Sequence, residues 1–587
     1  MRNIYSKAFW FGILSVALLL GGAGAAETPP AVKNHPVYSL AKKLAKKGSL
    51  SRKDIALLDD EAKKGLDSFG RVTPPLQDAL TLVEADFFPL FNSDAARAYQ
   101  TLVGKIGGKM MAEHIGVPEE NTPYWMKDAG PLDHFRSSAH VPASADYVII
   151  GGGLTGSASA RNLVPEVEKG KIVVVLEAGD RPASGASGRN GGNIEMIKEN
   201  FLDEYRGFVE VQKDFIRARF PKLSEEILSA QAERQSSYLL RFFRANVREI
   251  QKTIAEDGIQ ADVSLSGWLR IAESAEEEAG LRSEIEFAKR LGMDFEVWSP
   301  AQIKAGAGID SKFSGRYIRE SGNYHPYKYV NGVLKKAVER GVKFYTGTPV
   351  SKLEPMTDGT YIVHTKDGPI RTKKIILATN GYSRELIPEL TFIEPRVSHI
   401  SNFAHAPDKF NGMTITKEKG DWYANYPKQD RYVDPSGENR GTLHVGGGLD
   451  TPFSPAEVNR PPFIKDIYHE VRAKTGEIIP GTKNQPPSRA WSGVMAFTED
   501  RGPVLSYLYR NGKIDKAVVL AITCNGYGGS QCAISGKMAA EMAITGEVSE
   551  ATPDDVFSMR RFLTDKPLFL ETSPERCAQP LKKASPL

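Results

Sequence analysis

Cysteine is scarce in this chain, which excludes a fold held together by disulfides. Cys524, Cys532 and Cys577 are the only three among 587 residues, too few for the disulfide framework of a small secreted domain. An excess of charge of one sign is also lacking, since 76 basic residues stand against 72 acidic ones. A net charge of +4 spread over this length, with no basic stripe interleaved with aromatic residues, argues against nucleic acid as a partner.

Several catalytic patterns are missing as well. The sequence has no Walker loop, no cluster of cysteine and histidine at metal-ligand spacing and no recognisable Ser–His–Asp grouping. The stretch Gly446–Asp450 is rich in glycine but lacks the dinucleotide spacing, so a separate NADH domain is not indicated. None of these patterns therefore supplies a catalytic group, and we expect no metal site.

A long apolar run is absent too. The N-terminal stretch Ala8–Leu20 falls short of the roughly 20 residues that a membrane-spanning helix needs. It follows Arg2 and Lys7 and precedes the small-residue cleavage site Ala23–Ala26. This order predicts a cleaved secretory signal over residues 1–26 and a periplasmic or secreted protein. An uncleaved membrane anchor is the alternative.

The most informative segment begins at residue 146. An apolar strand over Tyr147–Ile150 leads into the glycine turn Gly151–Gly156, and a helix of small residues follows. A second apolar strand over Ile172–Leu176 then ends at the acidic Glu177, roughly 20 residues past the glycines. This order and spacing predict a dinucleotide-binding unit.

Each glycine of that turn has a physical role in the prediction. Gly151 permits the tight turn, Gly153 lets the backbone approach a pyrophosphate, and Gly156 lets the helix pack closely on the strand. The N–H groups at the helix N-terminus would hold the anion. The Glu177 carboxylate would accept hydrogen bonds from ribose hydroxyls and repel a 2′-phosphate, which argues against NADP.

Residues 183–192 form a small, flexible run that reads Ala-Ser-Gly-Ala-Ser-Gly-Arg-Asn-Gly-Gly. Such a run suits backbone that packs against a flat ring system. Together with the dinucleotide unit, it resembles the D-amino-acid oxidase superfamily of FAD enzymes, which includes glycine oxidase, sarcosine oxidase and gamma-glutamylputrescine oxidase. The Ser-Gly-Arg-Asn-Gly-Gly run is most similar to the last of these.

Further blocks continue the resemblance, in family order, over about residues 146–562. They are Ser266–Ala272, Gly322–Val350, Ile375–Tyr382, Trp491–Leu505 and Asn525–Ser530. The chain departs from the family where Ser530 and Gln531 follow the last glycines in place of a histidine. No residue matches the lysine thought to activate oxygen in sarcosine oxidases, so molecular oxygen and another electron acceptor both stay open.

The resemblance implies an α/β fold with a Rossmann-like FAD-binding domain and a discontinuous α+β substrate domain that contains a mixed sheet. Substrate would lie between these two domains. The expected boundaries are 1–26 for the signal peptide, 27–145 for a helical extension, 146–200, 325–393 and 488–546 for the FAD-binding domain, 201–324 and 394–487 for the substrate domain, and 547–587 for a C-terminal tail.

The same resemblance implies one FAD per chain and assigns its contacts. They come from the glycine turn, the end of the second strand, the small-residue run and the downstream blocks. The expected cofactor-binding residues are Gly151, Gly153, Leu154, Thr155, Gly156, Glu177, Ala178, Ser187, Arg189, Asn190, Gly191, Gly192, Val350, Thr379, Gly381, Gly493, Gly526, Tyr527, Gly528, Gly529 and Ser530.

Substrate-site and catalytic candidates rest on residue type. They are Trp422, Tyr426 and Arg431 in the expected substrate domain, with Tyr527 and Trp491 from the flavin side. Aromatic rings suit an alkylamine or ammonium, while Arg431 or Arg489 could clamp a carboxylate in a bidentate fork. Core packing or surface pairing is the alternative for each. His325, at a strand-to-helix turn, is interpreted as structural.

Two other features allow more than one interpretation. Val37, Leu40, Ala41 and Leu44 recur at helical spacing, and residues 55–69 repeat the pattern. These apolar faces must be buried. We favour packing against the catalytic body as a structural covering, and a docking element for a partner protein is the alternative.

The cysteines that flank the Gly526–Gly529 turn are the second such feature. We favour buried structural thiols at Cys524 and Cys532. A disulfide between them and a covalent flavin link through Cys524 are the alternatives.

Two classes of function follow. The first is an exported FAD-dependent oxidoreductase that oxidises a C–N bond by hydride transfer to flavin, leaving an imine that hydrolyses. A primary amine such as a polyamine derivative is the first choice of substrate, and an amino acid is the second. The other class is a flavoprotein that acts on or with a partner protein, as a maturation or redox partner, through its N-terminal extension.

Overall fold

The fold is described from a computed structural model. It describes residues 34–47, 51, 53–54, 56–57, 123–128, 136–194, 201–290, 293–417, 422–426, 431–452, 475–476, 479, 482, 487–548, 552–564 and 567–568. The chain divides into two units, residues 1–119 and 120–587, and each is described by itself.

In the first unit, helix α1 begins at Pro36 and ends at Lys47. Its buried residues are the four whose spacing predicted the helix, namely Val37, Leu40, Ala41 and Leu44. This part of the expected helical extension is therefore confirmed as helix. Most of the second predicted helix, over residues 55–69, lies outside the described residues.

The second unit contains the remaining described elements. Its helices are α2 (Tyr124–Asp128), α3 (Leu154–Asn162), α4 (Val164–Glu168), α5 (Phe201–Arg219), α6 (Glu225–Asp257), α7 (Ala275–Arg290), α8 (Pro300–Ala307), α9 (Pro326–Glu339), α10 (Ser383–Leu386), α11 (Gly528–Thr545) and α12 (Asp554–Phe557). Its strands are β1 (Ser144–Ile150), β2 (Val173–Leu176), β3 (Asn193–Ile194), β4 (Trp268–Ile271), β5 (Phe295–Trp298), β6 (Gly315–Ile318), β7 (Gly322–Asn323), β8 (Lys343–Tyr345), β9 (Val350–Pro355), β10 (Tyr361–Thr365), β11 (Gly368–Leu377), β12 (Glu394–Pro407), β13 (Thr414–Lys417), β14 (Trp422–Asn425), β15 (Tyr432–Val433), β16 (Asn439–Pro452), β17 (Arg489–Phe497), β18 (Val504–Arg510) and β19 (Lys513–Ile522).

The first sheet has a parallel centre in the order β19–β11–β1–β2–β8, with β18 antiparallel at the edge and β9 and β10 attached beside β11. Strand β1 is buried on both faces: Ile149 joins the core around α3, while Val148 and Ile150 face the opposite core. A nearly continuous apolar sequence is what a parallel strand covered on both faces needs. The sheet is therefore the predicted Rossmann-like core.

The second sheet is larger and mostly antiparallel, in the order β17–β12–β16–β14–β13–β4–β6–β5, with β15 on β16. Strand β17 pairs with β12 from Arg489–Asn402 to Phe497–Glu394. The expected boundary at residue 488 is thus wrong for this strand, because β17 belongs to the second sheet and the first sheet resumes only at β18. Sequence similarity to a flavin-contact block does not reveal which sheet supplies the block.

The longest described helix, α6, runs for 33 residues. The Ser224 side chain caps it by accepting a hydrogen bond from the Ile227 N–H, and Gly258 ends it with a left-handed φ of +65°. The helix packs against α5 and α11. Among the described helices, none combines the length and the apolarity needed to cross a membrane.

The start of the expected C-terminal tail is anchored in the core. Arg561 and Asp500 are both buried, and Arg561 Nε donates to the Asp500 carboxylate at 2.6 Å. The same guanidinium donates to the carbonyls of Gly502 and Pro503. A buried arginine is tolerated here because its donors find acceptors. The start of the tail therefore packs against the segment that leads into β18.

Candidate functional site

A cavity of about 800 Å³ lies at the carboxyl ends of the central parallel strands. Its wall includes the residues that end β1 and β2, Ile150 and Leu176, and it continues onto the second sheet at Ser398 and Ile400 of β12 and Tyr423 of β14. Doubly wound sheets bind dinucleotides at this edge. The cavity therefore joins the expected cofactor site to the second sheet.

The glycine turn between β1 and α3 has no room for side chains. A Cβ on Gly151, whose φ is +109°, would lie 2.6 Å from the Ala378 carbonyl oxygen. A Cβ on Gly156 would lie 1.8 Å from the Gly151 carbonyl oxygen, and one on Gly153 would lie 2.6 Å from Ser187 Oγ. The backbone therefore forms a bare concave surface at the N-terminus of α3.

The N-terminus of α3 faces this cavity without a competing acid. Gly153 precedes the helix in an extended conformation and offers no side-chain cap, and the first turn contains no acidic residue. The Leu154 N–H donates to Ser187 Oγ at 2.9 Å. The partial positive charge of the helix end suits the pyrophosphate of a dinucleotide.

Glu177 is buried at the end of β2, with 8% of its surface exposed. Its two carboxylate oxygens accept hydrogen bonds from the N–H groups of Gly152 and Gly179, each at 2.8 Å. Burial raises the pKa of this carboxyl, while the backbone donors oppose that shift. Since the residue also lines the cavity, its remaining lone pairs suit ribose hydroxyls.

Two tryptophans hold the small-residue run in place. Trp125 Nε1 donates to the Asn190 carbonyl at 2.7 Å, and Trp491 Nε1 donates to the Arg189 carbonyl at 2.9 Å. Asn190 closes the run on itself, because its side chain donates to the Ser187 carbonyl and accepts from the Gly192 N–H. Sequence reasoning missed Trp125, since it lies in the segment that was expected to be an extension.

The Arg189 side chain connects this run to the second sheet. It donates through Nε to the Ser184 carbonyl and through Nη1 to the Ser492 carbonyl, each at 3.0 Å. Burial lowers the pKa of its guanidinium. The arginine predicted to contact FAD therefore also ties the cofactor side to β17.

Most of the expected cofactor-binding residues line the cavity. Those in its wall are Gly151, Gly153, Leu154, Thr155, Glu177, Ala178, Ser187, Arg189, Asn190, Gly191, Val350, Thr379, Gly493, Gly526, Tyr527, Gly528 and Gly529.

Four expected residues are not part of the wall. Gly156 packs α3 on β1, and Gly192 adopts a left-handed φ of +78° where its carbonyl accepts from the Tyr324 N–H. A Cβ on Gly381 would lie 2.9 Å from a Val494 methyl. Ser530 is buried in the first turn of α11. These four residues lie behind the wall and help to position the segments that form it.

Some of the substrate candidates line the cavity and others do not. Tyr527 lines the cavity, whereas Tyr426 is buried outside it and donates its hydroxyl to the Pro407 carbonyl. Arg431 also lies outside the wall, 3.9 Å from Asp408. Arg489 begins β17 and does not line the cavity either. These placements fit core or pairing roles for Tyr426 and Arg431.

Strand β14 contributes a residue that the sequence interpretation passed over. Trp422 begins this strand, and its side chain lies outside the described residues. Tyr423 lines the cavity, and Asn425, two residues on, donates to the Gly191 carbonyl at 2.8 Å. Side chains two apart on a strand share a face, so Tyr423 and Asn425 lie on the same side of β14, a relation that could be used only once the Asn425 contact was known.

The two cysteines beside the Gly526–Gly529 turn form a disulfide. The Cα atoms of Cys524 and Cys532 are 6.7 Å apart, and both residues line the cavity. Our preference for free thiols is therefore wrong, and the disulfide alternative is correct. A flavin link through the Cys524 sulfur is excluded while this bond is present.

Among the residues that the structure describes, three buried histidines lie near the second sheet. His325 precedes α9, where its Nδ1 accepts from the Lys328 N–H at 3.1 Å, so its predicted structural role is confirmed. Burial lowers the pKa of His399, on β12, to about 4 and that of His444, on β16, to about 3. Both rings are neutral at ordinary pH.

Comparisons with known proteins agree with this geometry. The family model described as "FAD dependent oxidoreductase", abbreviated DAO, matches residues 146–542. The chain is 26% identical over 420 residues to a probable oxidoreductase OrdL of Haemophilus influenzae, covering 69% of this chain and 83% of that protein. It is 26% identical over 369 residues to the OrdL protein of Rhizobium meliloti, covering 61% and 75%.

Solved structures share the fold at lower identity. L-proline dehydrogenase from P. horikoshii is 19% identical, with 71% of this chain and 97% of that chain covered and a TM-score of 0.55. L-amino acid deaminase from Proteus vulgaris is 17% identical, with 73% and 100% covered and a TM-score of 0.55. With the family model spanning most of the second unit, the chain belongs to the DAO family and is an FAD-dependent oxidoreductase.

Proposed function

We propose that this enzyme oxidises a C–N bond of a small amine. The observation that carries the proposal is the continuity of the cavity, which reaches from the glycine turn at Gly151 to Tyr423 and Ser398 on the second sheet. When bound, FAD accepts a hydride from the carbon next to nitrogen, and the resulting imine hydrolyses. The protein's part is to hold that carbon in place and keep water out.

The wall on the second-sheet side favours an amine. The lining residues from β12, β14 and β17 are uncharged, namely Ser398, Ile400, Tyr423, Gly493, Val494 and Met495. A partly apolar wall penalises an ammonium and so favours the neutral amine, the form that can release a hydride. The aromatic hydroxyls of Tyr423 and Tyr527 supply polar contacts. A polyamine derivative is our first choice.

An amino acid is the second candidate. The names of the similar structures, a proline dehydrogenase and an amino acid deaminase, favour it. Against it, Arg431 and Arg489 do not line the cavity. Arg189 does, but its guanidinium already donates to two carbonyls. To bind a carboxylate, Arg189 would therefore have to give up its hydrogen bonds to those carbonyls.

Anaerobic mixing of the holoprotein with panels of amines, amino acids and N-methyl amino acids tests the proposal. We expect an amine to bleach the flavin absorbance, and bleaching by amino acids alone would favour the second candidate. Admission of air then separates an oxidase from a dehydrogenase, since only an oxidase regains its colour quickly. If a partner protein reduces the flavin and no small molecule does, the amine proposal is wrong.

We also propose that the protein is exported. The basic start, short apolar stretch and Ala23–Ala26 site support a cleaved signal, and a disulfide persists most readily in an oxidising compartment. N-terminal sequencing of the protein from its native cell tests this. We expect a start just after Ala25 or Ala26, and an intact Met1 in a membrane fraction would favour the anchor.

A further inference from the structure

The wall of the FAD cavity contains a disulfide that amine oxidation does not use. Cys524 follows β19 by two residues, and Cys532 lies in α11. Both residues line the cavity that also contains the glycine turn around Gly153, and Gly528 lies between the two cysteines with its Cβ position 3.7 Å from Cys532 Sγ. The chain has few cysteines, yet two of them border the cofactor site.

The turn does not depend on this disulfide for its shape. The Tyr527 N–H donates to the Cys524 carbonyl at 2.8 Å, and the Asn525 N–H donates to the Ala496 carbonyl at 3.0 Å. The Asn525 side chain in turn accepts from the Thr498 N–H at 2.8 Å. Backbone and side-chain hydrogen bonds therefore already hold the segment before α11.

The start of α11 is fixed independently as well. Asn246, which is buried on α6, donates to the Gly529 carbonyl at 2.7 Å and accepts from the Ile534 N–H at 3.0 Å. The first turn of α11 contains no acidic residue. The partial positive charge of this helix end favours a thiolate nearby over a thiol. Reduction of the disulfide would therefore leave a stable fold and a stabilised sulfur anion.

We propose that Cys524 and Cys532 form a second redox centre that exchanges electrons with FAD. In the forward step reduced FAD is oxidised, the S–S bond breaks, and the two electrons pass to the sulfurs. The two hydrogens of the reduced cofactor end on the sulfurs as two thiols, or as one thiol and one thiolate with a proton released. The step is FADH₂ plus disulfide giving FAD plus dithiol, so electrons and atoms balance without another reactant.

This centre would let one chain hold two electron pairs instead of one. Substrate oxidation supplies the first pair to FAD, and transfer to the disulfide frees FAD to accept another. The proposal requires only FAD binding, so it does not depend on whether the substrate is an amine or an amino acid. Its test accordingly uses a reductant that needs no substrate.

Anaerobic titration of the oxidised holoprotein with dithionite measures the capacity directly. We expect the wild type to take up about four electrons per FAD, since a disulfide is a two-electron couple like the flavin. The Cys532→Ser variant should take up about two. Cys577→Ser is the matched control and should keep the wild-type capacity.

Mass spectrometry after alkylation gives a second readout on the wild type alone. We expect Cys524 and Cys532 to become alkylated after flavin reduction but not before, and to stay bridged when FAD-free protein meets the same reductant. An uptake of about two electrons by the wild type, with both cysteines still bridged when the flavin is fully bleached, would show a purely structural disulfide and overturn the proposal. Reduction of the bridge in FAD-free protein would overturn the coupling to FAD.

Discussion

At the scale of single residues, Gly153 decides whether the cofactor site stays open. Its Cβ position lies 2.6 Å from Ser187 Oγ, and that hydroxyl is held by the Leu154 N–H. We predict that Gly153→Val weakens FAD binding by at least about 100-fold, or about 2.7 kcal/mol, because the added side chain clashes with Ser187 and displaces the backbone that would hold the pyrophosphate. Flavin absorbance after desalting, followed by fluorescence titration of the apoprotein, measures the effect.

The control for this substitution is Gly207→Val. Gly207 lies exposed on α5, and a Cβ there has no atom within 4 Å. It should retain a normal yellow spectrum. If Gly153→Val also retains that spectrum and the wild-type affinity, the glycine turn does not hold the pyrophosphate.

Tyr423 is one of the second-sheet residues that line the cavity. Its ring fills the room left by Gly191 and Gly446, where a Cβ would lie 2.3 and 2.1 Å from the tyrosine oxygen. We predict that Tyr423→Phe raises the KM for the substrate by about 3- to 10-fold, the loss of one hydrogen bond of about 0.5–1.5 kcal/mol, with FAD content unchanged. Steady-state kinetics on the best substrate of the panel measure this.

Tyr432→Phe provides the comparison, because Tyr432 is exposed and its hydroxyl bonds to His405. It should leave KM as in the wild type. An unchanged KM in Tyr423→Phe would show that the Tyr423 hydroxyl does not contact the substrate.

At the scale of elements, helix α2 supports the small-residue run through one indole. We predict that Trp125→Phe lowers FAD affinity by about 10-fold, because the Asn190 carbonyl loses its 2.7 Å donor at a cost of about 1–2 kcal/mol. Trp298→Phe is the matched control, since that indole donates to Glu296 on β5 and lies outside the cavity wall. Equal affinities for the two variants would contradict a supporting role for α2.

The same elements show which features the sequence alone can predict and which it cannot. Strand β1, the turn at Gly151 and strand β2 were predictable because their pattern is local, within about 30 residues. The contact between Trp125 and Asn190 joins positions 65 residues apart, and no periodicity encodes it. The sequence could not predict the placement of β17 in the second sheet for the same reason, since its partner β12 ends about 80 residues earlier.

At the scale of the whole molecule, the buried histidines of the second sheet make stability depend on pH. The pKa values of His399 and His444 are lowered to about 4 and about 3 from an ordinary 6.5, because burial penalises the charged ring. The unfolded chain therefore binds more protons below pH 6.5. Their contribution to stability is complete above that pH and is lost as the pH falls, by about 1.4 kcal/mol per pH unit for each ring.

We predict that lowering the pH from 7 to 5 costs about 2 kcal/mol for each of these histidines. Urea unfolding at the two pH values measures the loss. His444→Leu should show a smaller pH-dependent loss than the wild type, whatever its stability at pH 7. His140→Gln, at an exposed position, should behave as the wild type. Identical pH dependence in His444→Leu and the wild type would show that His444 is not the source.

The pairing order of the first sheet has a consequence for biosynthesis. Leu377 on β11 pairs with Ile150 on one side and with Leu520 on the other, so the strands that meet at the middle of the sheet come from distant parts of the chain. Contacts this far apart in sequence form slowly, because a long loop must close before they are gained. During synthesis, the parallel centre cannot be completed until the ribosome has passed residue 520. The nascent chain thus stays incompletely folded for most of its translation, which is the condition that a secretory pathway for unfolded chains requires.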